Sequence, residues 1–240
     1  MSLPVAILSG GLATRLGSVA RNTPKSLIRL GPDPFAVHQL RLLKKNGLTR
    51  VVFCIGHMGN MIAEELGDGK DWGMNLEYSQ DGPDLLGTGG ALRKALPLLG
   101  ETFLVMNGDS YLDCDYAAVL DSYRDSGKPG LMTVFCNKNR WDRSNILYED
   151  GKILKYSKRC VEPEMQHIDY GLGILSAGFL GVYPEKTAFD LETVYQDLLA
   201  RDQLAGYEVT ERFYEIGSPD GLRETQDHLQ KHSLTWGDLE

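Results

Sequence analysis

The chain has 240 residues, 42% of them apolar, and a formal net charge of −8. That length supports one large core, and the acidic balance excludes a general binder of nucleic acid or anionic membrane, which needs cations clustered over a wide patch. No apolar run approaches membrane-spanning length, no charged leader region precedes the first apolar run, and Cys54, Cys114, Cys136 and Cys160 are widely spaced without CxxC pairs; the expectation is a cytoplasmic protein with reduced core thiols.

The apolar run Val5 to Leu8 predicts a first strand, and Ser9-Gly10-Gly11-Leu12-Ala13-Thr14-Arg15-Leu16, with Pro24-Lys25-Ser26 beyond it, predicts a glycine turn beside fixed cations. Glycine tolerates positive φ and lets backbone N–H groups approach an anion; arginine offers a planar fork of donors and lysine a compact charge. The spacing matches neither the P-loop nor the dinucleotide fingerprint, so a phosphate cradle stands beside the plainer reading of a βα turn with Arg15 and Lys25 on a solvated surface.

Residues 34 to 46 then read as a helix with Phe35, Val37, Leu40 and Leu43 inward, proline at its start and Gly47 past its end. Val51 to Ile55 is a continuous apolar strand, as in a parallel sheet covered on both faces. A short helix over 58–66, a strand over 76–79, a helix over 90–98 and a buried strand over 103–106 complete four strands with helical crossovers. That alternation predicts a doubly wound, mostly parallel, Rossmann-like α/β sheet.

The second half changes character. Leu131 to Cys136 reads as a strand, and 145–148 with 152–156 flank Asp150-Gly151, a type I′ hairpin signal, so a small antiparallel insertion is expected. Leu172 to Leu175 returns to the core, 191–200 is helical, and Ser218-Pro219 caps a last helix ending near His232. With no linker or repeat, residues 1–240 read as a single domain, with a first half over 1–130 and a second over 131–240.

Three clusters carry chemistry besides the glycine turn. Leu86-Gly87-Thr88-Gly89-Gly90-Ala91 lies between a strand and a helix N-terminus, where it could wrap a nucleotide or, more plainly, provide an N-cap through Thr88. Asn107-Gly108-Asp109 follows the strand at 103–106, which sets Asp109 in the crevice at the carboxyl ends of the sheet as a natural Mg²⁺ ligand; Asp113 and Asp115 are better placed to cap the next helix. Glu215, before Ile216-Gly217-Ser218-Pro219, is either a second carboxylate or an ordinary helix-dipole partner. Lys155, Lys158 and Arg159 add cations on or after the hairpin, where they also read as a solvated strand edge, and Asp169 precedes Gly171-Leu172-Gly173.

In this order the motifs resemble the sugar-phosphate nucleotidyltransferases, the nucleotide-sugar pyrophosphorylases, over nearly the whole chain. Gly10 to Leu16 with Pro24-Lys25 is similar to the family opening, and the Leu-Gly-Thr-Gly-Gly segment, the Asn-Gly-Asp strand end and Glu215-Ile216-Gly217-Ser218-Pro219 match its later motifs. Departures are Ala13 for a usual glycine, Glu215 for a usual aspartate, Ser157-Lys158-Arg159 for Glu-Lys-Pro, and Asp169 for asparagine. The resemblance implies that Leu8, Gly10 and Gly11 contact the nucleotide, Arg15 holds the leaving pyrophosphate and Lys25 stabilises the attacked phosphate. It further implies that Gln80, Gly87 and Thr88 line the base and ribose, Asp109 and Glu215 hold Mg²⁺, Lys158 meets the sugar phosphate and Asp169 accepts from sugar hydroxyls. The implied reaction condenses a nucleoside triphosphate with a sugar 1-phosphate, of mannose or heptose type by similarity to the short guanylyltransferases, to give an NDP-sugar and pyrophosphate. Two rivals are a cytidylyltransferase acting on a non-sugar phosphate or phosphonate, and a non-catalytic nucleotide-sugar sensor, against which Asp109 and Glu215 argue. A homodimer is the ordinary expectation for a cytosolic enzyme.

Overall fold

The computed structural model describes residues 3–11, 16, 22–232 and 234–239. Its first half contains β1 (Val5–Ser9), β2 (Arg29–Leu30), β3 (Asp33–Pro34), α1 (Phe35–Lys45), β4 (Arg50–Ile55), α2 (Gly59–Leu66), β5 (Asn75–Gln80), α3 (Gly87–Leu99), β6 (Thr102–Asn107), β7 (Ser110–Tyr111) and α4 (Tyr116–Ser126). There follow β8 (Gly130–Phe135), β9 (Ile146–Glu149), β10 (Lys152–Tyr156), β11 (Ile168–Ser176), α5 (Ala177–Leu180), α6 (Leu191–Ala200), β12 (Leu204–Val209), β13 (Tyr214–Glu215) and α7 (Pro219–His232).

Seven strands form one sheet in the order β12-β8-β11-β6-β1-β4-β5. Neighbours are parallel except where β11 runs antiparallel to both β6 and β8. The strands are apolar on both faces because both faces are covered. Val5, Ile7, Phe53, Leu104 and Met106 pack in one cluster with Phe35, Leu40 and Leu43 of α1, Val119 of α4 and Leu229 of α7. The alternating residues Ala6, Val52, Cys54 and Val105 pack in another with Leu92 and Ala95 of α3 and Val194 and Leu198 of α6. Among the described residues no helix is long and apolar enough to cross a membrane.

Several local signals act as their chemistry predicts. Asp150 (φ 48°) and Gly151 (φ 77°) make the tight turn between β9 and β10, Asp115 caps α4 by accepting from Ala118 N at 3.0 Å, and Ser218 Oγ accepts from Gly221 N at 3.0 Å in the first turn of α7. Other expectations need correction. β12, absent from the sequence reading, is a sheet-edge strand of mixed burial in which Gly206 makes room for the hairpin; a Cβ there would lie 2.8 Å from the Tyr148 ring. Cys54 and Cys114 are buried but Cys160 is exposed, so not every cysteine is a core thiol; all four are free.

The helix expected from residue 90 begins at Gly87, and its glycines answer to packing. The segment before α6 crosses its first turn so closely that a Cβ on Gly89 would lie 2.4 Å from the Phe189 ring and one on Gly90 2.5 Å from Thr187 O. The Phe189 carbonyl accepts from both Gly89 N (2.9 Å) and Gly90 N (3.2 Å). Those helix N-terminal donors therefore have a protein acceptor already.

Candidate active site

The carboxyl ends of β1, β4 and β6 converge with the amino end of the antiparallel β11. Because Leu172 pairs with Met106, the residues before Leu172 run out past the end of β6, which brings Asp169 and Tyr170 to the rim where Asn107 and Asp109 emerge. The result is a cleft of about 680 Å³. Of the residues singled out from sequence, Leu8, Gly10, Gly11, Lys25, Gly87, Thr88, Asp109, Lys158, Asp169 and Glu215 all line it. Arg15 and Ala13 lie outside the described residues.

Lys25 opens a single 3-10 turn behind Pro24, and its Nζ donates to Asp109 Oδ2 at 2.8 Å. Ser26 Oγ donates to Ser9 Oγ at 3.1 Å, which ties that turn to the end of β1. The strand ends of β1 and β6 touch directly: Gly108 N donates to Leu8 O at 3.0 Å, and a Cβ on Gly108 would sit 2.3 Å from Ser9 Oγ. Neither Gly10 nor Gly11 has positive φ, contrary to the freedom anticipated for this turn. Among the described residues a Cβ on Gly11 would meet nothing within 4 Å, and Gly11 lines the cleft.

Glu215 pairs across β13 with Ser110 of β7, and Ile216 N donates to Asp109 O at 2.9 Å, so backbone hydrogen bonds bring the two carboxylate-bearing segments together. The Glu215 carboxylate also receives Gly217 N and the Ser218 hydroxyl, the latter at 2.7 Å, which is the helix-terminus role weighed from sequence. Two carboxylates on one cleft wall, with a lysine among them, form a hard oxygen donor set that suits a small divalent cation whose remaining ligands are substrate phosphates and water.

The fixed positions have buried support. Gln39 of α1, fully buried, donates through Nε2 to Asn107 O at 3.1 Å and to Ser110 O at 2.8 Å, bracing both sides of Asp109, while its Oε1 has no partner among the described residues. Asp169 accepts from the Tyr156 hydroxyl at 3.2 Å and from Gly171 N at 3.0 Å, and its own N donates to Asn145 Oδ1 at 3.1 Å. The backbone N of Lys158 donates to Glu192 at 2.8 Å.

On the other wall the sequence reading is displaced by one residue. Gln80 ends β5 exposed and is not among the residues lining the cleft, whereas the buried Asp81 is; its Oδ2 accepts from Leu86 N at 3.1 Å. Burial pushes the Asp81 carboxyl up, opposed by the Leu86 bond and the Lys94 charge. Burial, aided by the Asp81 charge, also pushes the neighbouring Cys54 thiol up to about 12, so it stays protonated and is no nucleophile. Thr88 does not cap its own helix. Its hydroxyl accepts from Leu191 N at 2.8 Å, capping α6 from across the interface. Asp142, Arg143, Asn145 and Asp190 also line the cleft, and no motif pointed to them; Asp81 was findable by the strand-end argument applied to Asp109.

N-acetylmuramate alpha-1-phosphate uridylyltransferase of Neisseria meningitidis serogroup B is 28% identical over 92% of this chain and 95% of its own length. The mannose-1-phosphate guanylyltransferase catalytic subunit beta of Drosophila pseudoobscura pseudoobscura is 28% identical over 89% of the chain, which spans only 58% of that protein. Among solved structures, HddC from Yersinia pseudotuberculosis complexed with GMP-PN superposes with a TM-score of 0.80 at 23% identity, covering 95% of this chain and 100% of that one, and so shares the fold. The model of the nucleotidyl transferase family matches residues 5–145, more than half of the sequence and the whole glycine, lysine and Asn-Gly-Asp wall of the cleft, and the chain belongs to that family.

Proposed function

We propose that the chain transfers a nucleotidyl group to a sugar 1-phosphate. A phosphate oxygen of the acceptor attacks the α-phosphorus of a nucleoside triphosphate in line, the α–β bridging bond breaks with its electron pair going to pyrophosphate, and an NDP-sugar is formed. The observation that carries this reading is the 2.8 Å pairing of Lys25 with Asp109 in a cleft that also holds Glu215 and the open Gly11 wall. Charge redistributes over phosphate oxygens without a protein nucleophile, so positioning and fixed charge do the catalytic work.

Asp109 and Glu215 would hold Mg²⁺, which when bound would supply positive charge to the triphosphate. Lys25, whose ammonium lies 2.8 Å from Asp109 in the same cleft, would stabilise the attacked phosphate. Gly10 and Gly11 leave space for the nucleotide along the end of β1 with Leu8 beneath, Gly87 and Thr88 border the base and ribose, and Arg15 meets the pyrophosphate. Asp81 adds a carboxylate acceptor on that side for a base N–H. Residues 1–130 thus serve the nucleotide and 131–240 the acceptor, with Lys158 at the sugar phosphate and Asp169 receiving sugar hydroxyls. Mannose- or heptose-type sugars are favoured; the uridylyl and guanylyl relatives support the reaction class.

The test is a pyrophosphate-release screen crossing nucleoside triphosphates with N-acetylmuramate, mannose and heptose 1-phosphates and with small phosphonates. Release should require both substrates and Mg²⁺, and Asp109→Ala should abolish it while leaving the circular dichroism spectrum unchanged. Unaltered turnover in Asp109→Ala would sink the metal assignment. Release only with CTP and a non-sugar acceptor would identify a cytidylyltransferase, and nucleotide-sugar binding without turnover would identify a sensor.

A further inference from the structure

A second cluster of donors lies at the opposite side of β11, away from the glycine wall. Ile168 of β11 pairs with Phe135 of β8, and Val209 of β12 pairs with the same Phe135. The next residues outward on the first pair are His167 and Cys136, and Glu208 precedes Val209 on β12. One ligand atom from each of Cys136, His167 and Glu208 lies within 4.8 Å of the other two, the one such group among the described residues. His167 Nε2 and Glu208 Oε1 are already 3.2 Å apart.

We propose that Cys136, His167 and Glu208 form a zinc site that clasps the ends of β8, β11 and β12. A thiolate, an imidazole and a carboxylate are a borderline-soft donor set suited to Zn²⁺, with water as the fourth ligand. Tetrahedral bonds of about 2.0–2.3 Å place ligand atoms roughly 3.3–3.8 Å apart, so the trio closes on the ion by about 1 Å, within reach of side-chain rotation. Binding releases the thiol proton, and thiolate and carboxylate together neutralise the charge of the ion. Cys136 and His167 adjoin the paired residues Phe135 and Ile168, and Glu208 pairs with Val134, so the ends of the three strands already hold the donors close together. The Tyr148 ring, with its centroid 5.1 Å from that of His167, borders the imidazole.

The clasp adjoins the acceptor wall. His167 O accepts from Asn145 N (2.8 Å) and Ile146 N (2.9 Å), and Asn145 in turn receives Asp169 N. A metal fixed on His167 would therefore stiffen the wall that carries Asn145 and Asp169, whatever group the chain transfers.

The probe is Co²⁺ added to the full chain freed of metal, followed by absorption. One equivalent should give a thiolate-to-cobalt charge-transfer band in the near ultraviolet with the visible bands of tetrahedral cobalt. Asp109 and Glu215 offer only oxygen and contribute no such band. Cys136→Ser should abolish it, Cys160→Ser should leave it intact, and Glu208→Gln, an exposed change that spares folding, should weaken binding at least tenfold. Zn²⁺ should displace the cobalt and raise Tm in the parent chain but not in Cys136→Ser. Absence of the band, its survival in Cys136→Ser, or its loss in Cys160→Ser would overturn the proposal.

Discussion

Replacing Gln39 by leucine tests whether the Asn-Gly-Asp strand end is held by its neighbours or holds itself. The substitution is close in volume and keeps the α1 packing, but it removes the two donations to Asn107 O and Ser110 O. Each buried carbonyl left without its donor costs about 1–3 kcal/mol, and losing the unpartnered Oε1 offsets one such contribution, so the net destabilisation is about 1–3 kcal/mol. For a chain of this size that corresponds to a fall in Tm of about 2 to 12 °C. The catalytic signature is separate. With Asp109 no longer braced on both sides, Gln39→Leu should need more Mg²⁺ for half-maximal pyrophosphate release and should lose kcat at saturating Mg²⁺, while KM for the triphosphate changes little. A Tm drop with an unchanged Mg²⁺ requirement and kcat would show that the brace serves the core alone and would refute the reasoning.

Two further expectations concern the cleft walls. Burial raises the Asp81 carboxyl, so the folded chain holds that proton more tightly than the unfolded one, and stability falls as pH rises from the unfolded toward the folded pKa. Asp81→Asn removes this dependence and retains an acceptor for Leu86 N; in urea titrations it should be more stable than the parent at pH 7, with the difference closing below about pH 4. An equal difference at both pH values would contradict the assignment, and the same variant should change the preference among nucleoside triphosphates. Gly108→Ala drives a methyl group to 2.3 Å from Ser9 Oγ and 2.6 Å from Leu8 O, which should cost about 1–3 kcal/mol and depress turnover by parting β6 from β1. A crystal structure of that variant with the Gly108–Leu8 hydrogen bond intact would refute the second effect.

The parallel core was legible because its strands are buried on both faces and read as unbroken apolar runs, as Val51 to Ile55 does. Asp109 was legible for a related reason: a carboxylate directly after such a run has only the end of the sheet to occupy. Position along the strand end was harder to read. Gln80 and Asp81 are adjacent, and only the fold reveals that the aspartate is the one lining the cleft. Contacts between distant segments were not legible at all. Thr88 satisfies a helix one hundred residues away, the Phe189 carbonyl occupies helix donors that looked free for an anion, and Gln39 sits in an apolar helical face with nothing in its local pattern to mark its task. Edge strand β12, Leu-Ala-Gly-Tyr-Glu-Val, is mixed in burial and interrupted by Gly206, so it carried neither an unbroken apolar run nor a clean alternation.

The place of β11 in the sheet has a consequence for how the chain comes into being. Synthesis delivers β6 well before its partner, and until residues 168–176 have left the ribosome β6 is an open edge of apolar strand. Such edges recruit other chains. A truncated product ending near residue 130 would keep the glycine, lysine and Asn-Gly-Asp wall yet present that unpaired edge permanently, so splitting the protein between its halves, or grafting a foreign second half that lacks a strand equivalent to β11, would yield aggregate before it yielded a binding fragment.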